Sequence, residues 1–304
     1  MLDGVSLDQL RTFIASVDEG SFSAAARKLR RAQSVVSDLV SGLEAQMGVQ
    51  LFDRSTRYPT LTPAGIALLA DARGIVANVD FMKARAKGMS SGLEPELAVV
   101  IDVLFPIDAI AAAANAFRQQ FPRTPLRLFV EALGAGWQRV LDGTVSVGMV
   151  PVLPTIPPSL SCEHLPGVAM VMVAAPHHPL AAFKGILPKS ELGKHIQLVL
   201  TDRSTLSAGV EFGVISQATW RLTDLFAKHA FLRNGLGWGG MPAHAVQRDL
   251  AEGSLVELAI EGTPPGGGIV PMTAAYPTAA PPGPAGRWLI ERLKRCPQGH
   301  AAFV

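Results

Sequence analysis

Apolar residues in the first 50 positions recur at helical spacing in three separate runs. Leu7, Leu10, Phe13, Ile14 and Val17 step by three and four residues and predict a helix with one buried face, ended by Gly20. Ser21 is placed to cap a second helix containing Ala24, Ala25, Ala26 and Leu29, whose small side chains let a neighbouring helix approach closely. Gln33 and Ser34 open a third, with Val36, Leu39, Val40, Leu43 and Met47 on its apolar side and Gly48 as its stop. Two helices joined by a short turn, the second beginning with polar residues, are the parts of a helix-turn-helix. After Gly48, VQLFDRSTRYPTLTP alternates imperfectly about a central turn and predicts a small two-stranded wing. Pro63 then suits the first turn of a further helix.

From Leu68 the positions Leu68, Ala72, Ile75, Val79, Met82, Ala86 and Met89 step alternately by four and three. That heptad predicts a long helix with a seam for a partner chain; a helix lying on its own domain would serve the same pattern. GMSSGLEP, residues 88–95, reads as a hinge. Beyond it, strand-like and helix-like runs alternate. LAVVIDV, LRLFVEA and VSVGMV suit buried parallel strands, with IDAIAAAANAFRQQF as a crossover helix. A second unit begins at VAMVMVAA and continues through IQLVL, ATWRL and LGWGG, with TDLFAKHAFLRN and PAHAVQRDLAE as its helices. GIVPMTAAY and PAGRWLIERLKR then return to complete the first unit. Two α/β lobes joined by paired crossings create a cleft, and clefts at the ends of such strands bind small ligands. The expected organisation is a winged helix-turn-helix over residues 1–62, a linker helix and hinge over 63–91, and an effector-binding domain over 92–304. Within the last, lobe 1 takes about 92–163 and 267–296, and lobe 2 about 164–266.

Composition adds little but excludes several classes. A chain of 304 residues with 48% hydrophobic and 17% charged residues is globular, and long enough for more than one core. A net charge of +2 does not by itself indicate nucleic acid, but Arg27, Lys28, Arg30 and Arg31 fall within five positions. Cys162 and Cys296 are far apart and lack a metal-ligand or redox spacing. Apolar runs are interrupted well short of the roughly 18 residues a membrane span needs, and no secretory leader is evident, so a cytoplasmic location is expected.

A helix N-terminus in the major groove offers short polar side chains to base edges while flanking arginines neutralise phosphates. Gln33, Ser34 and Ser37 suit the first task, Arg30 and Arg31 the second, and Arg54 and Arg57 flank the wing turn. Taken singly, each has a plainer reading: Ser34 as a helix cap, Gln33 as a surface residue, the arginines as a solvated face. Together they belong to a longer series. Leu10, Phe13, Gly20, Ser21, Phe22, Ala25, Ala26, Leu29, Gln33, Ser37, Leu43, Glu44, Gly48, Leu51, Phe52, Arg54, Leu61, Thr62, Pro63 and Gly65 follow in order across residues 7–65. That segment resembles the DNA-binding part of the LysR-type transcriptional regulators. The resemblance implies that Gln33, Ser34 and Ser37 line the DNA-facing side of the recognition helix and that Arg54 and Arg57 belong to the wing. Asp38 departs from the family, where a basic or other hydrogen-bonding residue is common; its carboxylate repels phosphate but accepts from a cytosine amino group. Asp38 is therefore expected to influence sequence choice, its plainer role being intrahelical pairing.

The likeness continues more loosely through FRQQFPRTPLRLFVEA, VMVAAPHHPLA, HIQLVLTDRS and LRNGLGWGGMPAHAVQRDLAEGSLVEL. It implies an effector domain resembling a periplasmic binding protein, a small molecule between its lobes, and assembly into homodimers and commonly homotetramers, with double-stranded DNA and RNA polymerase as macromolecular partners. No cofactor or metal is implied. Loops after strand ends populate the cleft: Asp102, Val103, Leu104 and Phe105 after the first strand, Gly134 to Trp137 after the second, and Thr201, Asp202, Arg203 and Ser204 in the other lobe. Arg203 suits either an effector carboxylate or a salt bridge with a neighbour such as Asp202. Trp137 and Trp220 suit a pocket wall or plain core packing. The acid that the family often carries after LDG is missing from GTVSVGMV. His177 and His178 are adjacent and point apart, no GxSxG elbow is present, and GLGWGG is not a dinucleotide fingerprint, so catalysis is not expected. Besides regulation, two other roles fit the pattern: a solute-binding module, and a constitutive DNA-organising protein.

Overall fold

The computed structural model describes residues 4–55, 59–201, 204, 206, 213–264 and 267–295. It divides into two compact units, Met1–Ser90 and Ser91–Val304. The first contains α1 (Leu7–Asp18), α2 (Phe22–Leu29), α3 (Gln33–Met47), β1 (Phe52–Asp53), β2 (Thr60–Leu61) and α4 (Pro63–Ser90). Local chemistry sets the boundaries. Ser6 and Gln9 form a reciprocal capping box on α1, and the Ser21 hydroxyl accepts from Ala24 N at 3.2 Å to open α2. Gly48, with φ of 68°, closes α3 in the left-handed conformation. Leu10, Phe13, Val36, Val40 and Leu43 meet in one core, where the Phe52 ring sits edge-on to Phe13 and Phe22 at 5.7 and 5.1 Å.

The heptad of α4 divides between its two readings. Ala72 is buried and Leu68 packs on the core of its own unit, whereas Ile75, Met82 and Met89 are 49%, 61% and 48% exposed.

The second unit is built on one sheet with the order β4-β3-β5-β11-β6-β9-β7-β8. Its elements are β3 (Leu97–Asp102), α5 (Ile107–Gln120), β4 (Leu126–Glu131), α6 (Gly134–Leu141), β5 (Val147–Pro151), β6 (Leu160–Ala174), α7 (Lys189–Leu192), β7 (Gln197–Leu200), β8 (Thr219–Leu222), α8 (Leu225–Arg233), β9 (Trp238–Pro242), α9 (Ala243–Glu252), β10 (Val256–Glu257), β11 (Gly268–Pro277) and α10 (Pro284–Lys294). Strand β3 runs parallel to β4 and β5, and β7 runs parallel to β8 and β9. Antiparallel β6 and β11 join these two parallel sets, with a register shift between Val270 and Met272. The fold is therefore a two-lobed α/β domain whose lobes are linked by two crossing strands.

Two elements differ from the pattern read off the sequence. Strand β6 starts at Leu160, eight residues before VAMVMVAA, because its first half carries polar residues that find partners only in the fold. Tyr276 Oη and Lys294 Nζ each donate to Glu163 at 2.7 Å, and Arg287 is paired with the same carboxylate. Gly134 to Trp137, placed by the sequence in a loop after the second strand, open α6 instead: two glycines lower its helix propensity, yet a Cβ on Gly136 would lie 2.7 Å from Val150 Cγ1, so close helix–sheet packing requires the glycine.

Burial pushes the Glu163 carboxyl up, but the hydrogen bonds from Lys294, Arg287 and Tyr276 outweigh it and hold the group at about 2 instead of 4.5. A carboxyl held below its unfolded value adds stability that is fully present above 4.5 and is lost as the pH falls towards about 2. Glu163→Gln is expected to cost about 1–3 kcal/mol at neutral pH, discounted for the partly solvated cations. Urea melts across that pH interval check it: the gap between wild type and variant should close on acidification, and a pH-independent gap would contradict the assignment.

Candidate nucleic-acid interface and effector cavity

The first turn of α3 faces solvent. Gln33, Ser34 and Asp38 are exposed and Ser37 is half-buried, while Val36 and Val40 on the opposite face are fully buried. Ala32 occupies the N-cap without a side-chain hydrogen bond, so the capping role open to Ser34 is not the one it takes. Gln33 Oε1 accepts from Ser23 Oγ at 2.8 Å, which orients the amide from the preceding helix. Arg30 is exposed and closes α2 with φ of 54°, a left-handed conformation unusual for a residue with a side chain. Arg31 is paired with Asp8 at 2.6 Å. Arg54 reaches inward: it donates to Ser41 at 3.0 Å and to Glu44 at 2.9 Å and lies over the Phe22 ring. Glu44, only 4% exposed, also accepts from Leu51 N and Phe52 N at 2.8 and 3.1 Å, so one carboxylate ties the base of the wing to α3. Arg57 lies outside the described residues.

In the second unit a cavity of about 480 Å³ opens between the lobes. Leu104, Leu133, Gly134, Trp137 and Leu153 come from one lobe, Met170, Met172, Gln197, Leu200 and Lys228 from the other, and Ile269 and Val270 from the crossing strand. Of the sequence candidates, Leu104, Gly134 and Trp137 line it. Trp137 is fully buried, with Nε1 donating to Pro151 O at 2.8 Å, so it serves both of its readings, wall and core. Asp102 is buried beneath the loops: its carboxylate accepts from Leu104 N at 2.9 Å and Leu133 N at 2.7 Å and holds two wall segments in register. Asp102, Val103 and Phe105 border a different cavity of about 320 Å³, together with Ile107, Val130 and Phe226. Thr201 and Ser204 line neither, nor does Trp220, whose ring packs near Phe231. Asp202 and Arg203 lie outside the described residues.

Two family models match the chain. The model described as bacterial regulatory helix-turn-helix protein, lysR family, covers residues 7–66, and that for the LysR substrate binding domain covers residues 90–296. The chain belongs to the LysR family. Members of this family are sequence-specific DNA-binding transcription regulators controlled by small-molecule effectors, and this chain is a regulator of that kind. It is 31% identical to the uncharacterized HTH-type transcriptional regulator YeeY of Escherichia coli K12, over 83% of this chain and 82% of that protein. It is 28% identical to the HTH-type transcriptional activator AllS of Klebsiella pneumoniae, over 82% and 93%. The solved structure of CbnR, a LysR family transcriptional regulator, shares the fold with a TM-score of 0.52 at 23% identity, over 95% of this chain and all of that one. A mutant of Corynebacterium glutamicum OxyR gives 0.57 at 23%, over 95% and 92%.

The LysR resemblance did not point to the polar groups of the cavity. Gln197, 3% exposed, accepts from Ile215 N and Ser216 N and donates to Gly213 O at 2.7 Å, stapling the 213–216 segment to β7. Lys228 is 5% exposed and donates to Gly240 O at 2.7 Å. A signal for it exists in LFAKHAFLR: Leu225, Lys228 and Leu232 step by three and four, which puts the lysine on the buried stripe of its helix. The glycines of GLGWGG serve packing: a Cβ on Gly237 or Gly239 would lie 2.5 Å from the carbonyl oxygen of Ile196, just before β7, or of Leu198 within it.

Proposed function

We propose that this regulator works in the cytoplasm as a homodimer whose two α3 helices read an interrupted inverted repeat in double-stranded DNA. Gln33, Ser34, Ser37 and Asp38 meet base edges, and Arg30, Arg31 and Arg57 meet phosphates; Arg54 positions the wing through Glu44 and reaches phosphate at its exposed edge. The observation that carries the reading is the solvent-facing series Ile75, Met82 and Met89 on α4, an apolar seam that the described residues of its own unit leave exposed. A small molecule in the 480 Å³ cavity, of a size usual for such sites, biases the arrangement of the two lobes and through it the spacing of the DNA-reading heads. Asp202 and Arg203, which follow the cavity-lining Leu200 in the chain, are retained as candidates for polar contacts with the effector. Exposed Ile107, Val130 and Phe226, which border the smaller cavity, favour a further subunit contact and hence a tetramer. RNA polymerase is the expected partner of the DNA-bound assembly. Among the described residues no helix is long and apolar enough to cross a membrane.

Selection of bound genomic fragments by the purified full chain tests this directly. A short set of sites sharing an interrupted inverted repeat is the expected result. Recovery without sequence preference would favour DNA organisation, and failure of the folded protein to bind any fragment, with or without metabolite extract, would favour a solute-binding module. On a recovered site, Gln33→Ala is expected to cost about 1–3 kcal/mol of discrimination at one base pair in each half-site. Asp38→Ala should relax preference at a neighbouring pair; unchanged affinity for both operator and scrambled DNA would reject a base-reading role for Asp38.

A further inference from the structure

Among the described residues, Lys228 is the only charged one lining the 480 Å³ cavity. No described residue neutralises it. An ammonium group carries three hydrogens, and the Gly240 carbonyl takes one of them at 2.7 Å. Two acids on the neighbouring described elements are engaged elsewhere: Asp224 caps α8 through Ala227 N at 2.6 Å, and Asp249 holds His229, Arg233 and Ser254. No carboxylate among the described residues pairs with Lys228. Burial lowers its pKa to about 8, which leaves the group cationic at neutral pH inside a cavity whose other side chains are almost all apolar.

A buried cation with spare donors is costly unless something completes it, so an apolar side chain of similar length in its place removes that cost. Its retention on the wall of a ligand-sized cavity is explained when the ligand brings the missing charge. The geometry points to an effector that is a small monocarboxylic acid, its carboxylate taking the two remaining hydrogens of Lys228 Nζ and its uncharged apolar body packing against Trp137, Leu104, Met170 and Ile269. This rests on the reading of the cavity as the effector site. One ammonium balances one anion; a second carboxylate or a phosphate dianion would leave charge against an apolar wall. Gln197 has at most one N–H left for the carboxylate, since its oxygen accepts from Ile215 N and Ser216 N and its other N–H goes to Gly213 O.

Matched pairs of ligands test the assignment on the full chain. Thermal shift and calorimetry would compare benzoate, phenylacetate, 3-phenylpropionate and octanoate with their primary amides, and with the dianion phthalate. Binding is expected among the acids, at least about tenfold tighter than for the amide of the same body, with phthalate weaker than benzoate. Lys228→Met should abolish this preference while melting no lower than wild type, and Lys228→Arg should retain part of it. Binding confined to the amides, equal binding of acid and amide, an acid preference that survives Lys228→Met, or no binding by any member of the panel would each overturn the proposal. The cavity-filling variant Met172→Trp separates the two layers of the argument. If acids and amides bind equally and Met172→Trp removes both, the cavity remains the effector site and only the counter-ion role of Lys228 falls. If binding survives Met172→Trp, the cavity reading falls as well.

Discussion

Replacing Glu44 with alanine is expected to destabilise the DNA-binding unit by about 2–5 kcal/mol and to abolish most operator binding with it. The magnitude follows from what the side chain satisfies. Its carboxylate is the acceptor for two buried backbone donors, Leu51 N and Phe52 N, and a buried N–H left without an acceptor costs about 1–3 kcal/mol. The Arg54 pair adds less, since that guanidinium is 39% exposed and regains water when released. Glu44→Gln keeps an oxygen for the two N–H groups and loses only the ion pair, so it should cost about 1 kcal/mol. All four tryptophans, Trp137, Trp220, Trp238 and Trp288, belong to the second unit, so the two units report separately. The helical circular-dichroism transition of the first unit should move to lower denaturant in Glu44→Ala while the tryptophan fluorescence transition stays in place. Coincident shifts of both would show that the units unfold together and would remove the argument that Glu44 acts locally at the wing.

The second large effect is expected from the α4 seam. An aspartate at Ile75 and another at Met82 put charge into an apolar strip that is half or more exposed in the single chain, so the folded protomer should tolerate them. A dimer closed over that strip should not, because each buried carboxylate would lose its water without gaining a partner. The double variant is predicted to sediment as a monomer. Operator affinity should fall by about 10²–10⁴-fold, the advantage of binding two half-sites from one molecule. Ala77→Asp, on the opposite side of the same helix and also exposed, is the control and should leave both properties unchanged. If the Ile75 and Met82 variant remains dimeric and binds its operator normally, the subunit contact lies elsewhere, and the patch at Ile107, Val130 and Phe226 becomes the leading candidate.

The helices of the first unit were legible because their signals are local. A serine cap, a stripe at three and four residues and a closing glycine act within one or two turns, and the same short range puts Gln33, Ser34 and Asp38 at the exposed start of α3. Arg54 shows the limit of such reading. Its place in the wing follows from the chain order, but its direction is set by Glu44, ten residues earlier, and by the ring of Phe22, neither of which a local pattern can bring to it. The heptad of α4 illustrates the same boundary: periodicity marks the seam, and only packing decides that Ala72 belongs to the core of its own unit while Ile75 and Met82 face out.

In the second unit the sequence determined the strands that are apolar on both faces and the order in which helices separate them, since burial on both sides writes itself as an unbroken hydrophobic run. It also determined family membership, through an ordered series of residues that needs no coordinates. The tertiary structure decided the rest. Strand β6 extends back to Leu160 because Arg287 and Lys294, more than a hundred residues later, neutralise Glu163 within it. Helix α6 forms despite two glycines because Gly136 must pass close to Val150. The cleft keeps Leu104, Gly134 and Trp137, turns Asp102 into a brace for its loops, and brings in Lys228 from a helix where it looked like one polar residue among many. Pairings of this kind join positions far apart in the chain, and a one-dimensional pattern holds no distance between them.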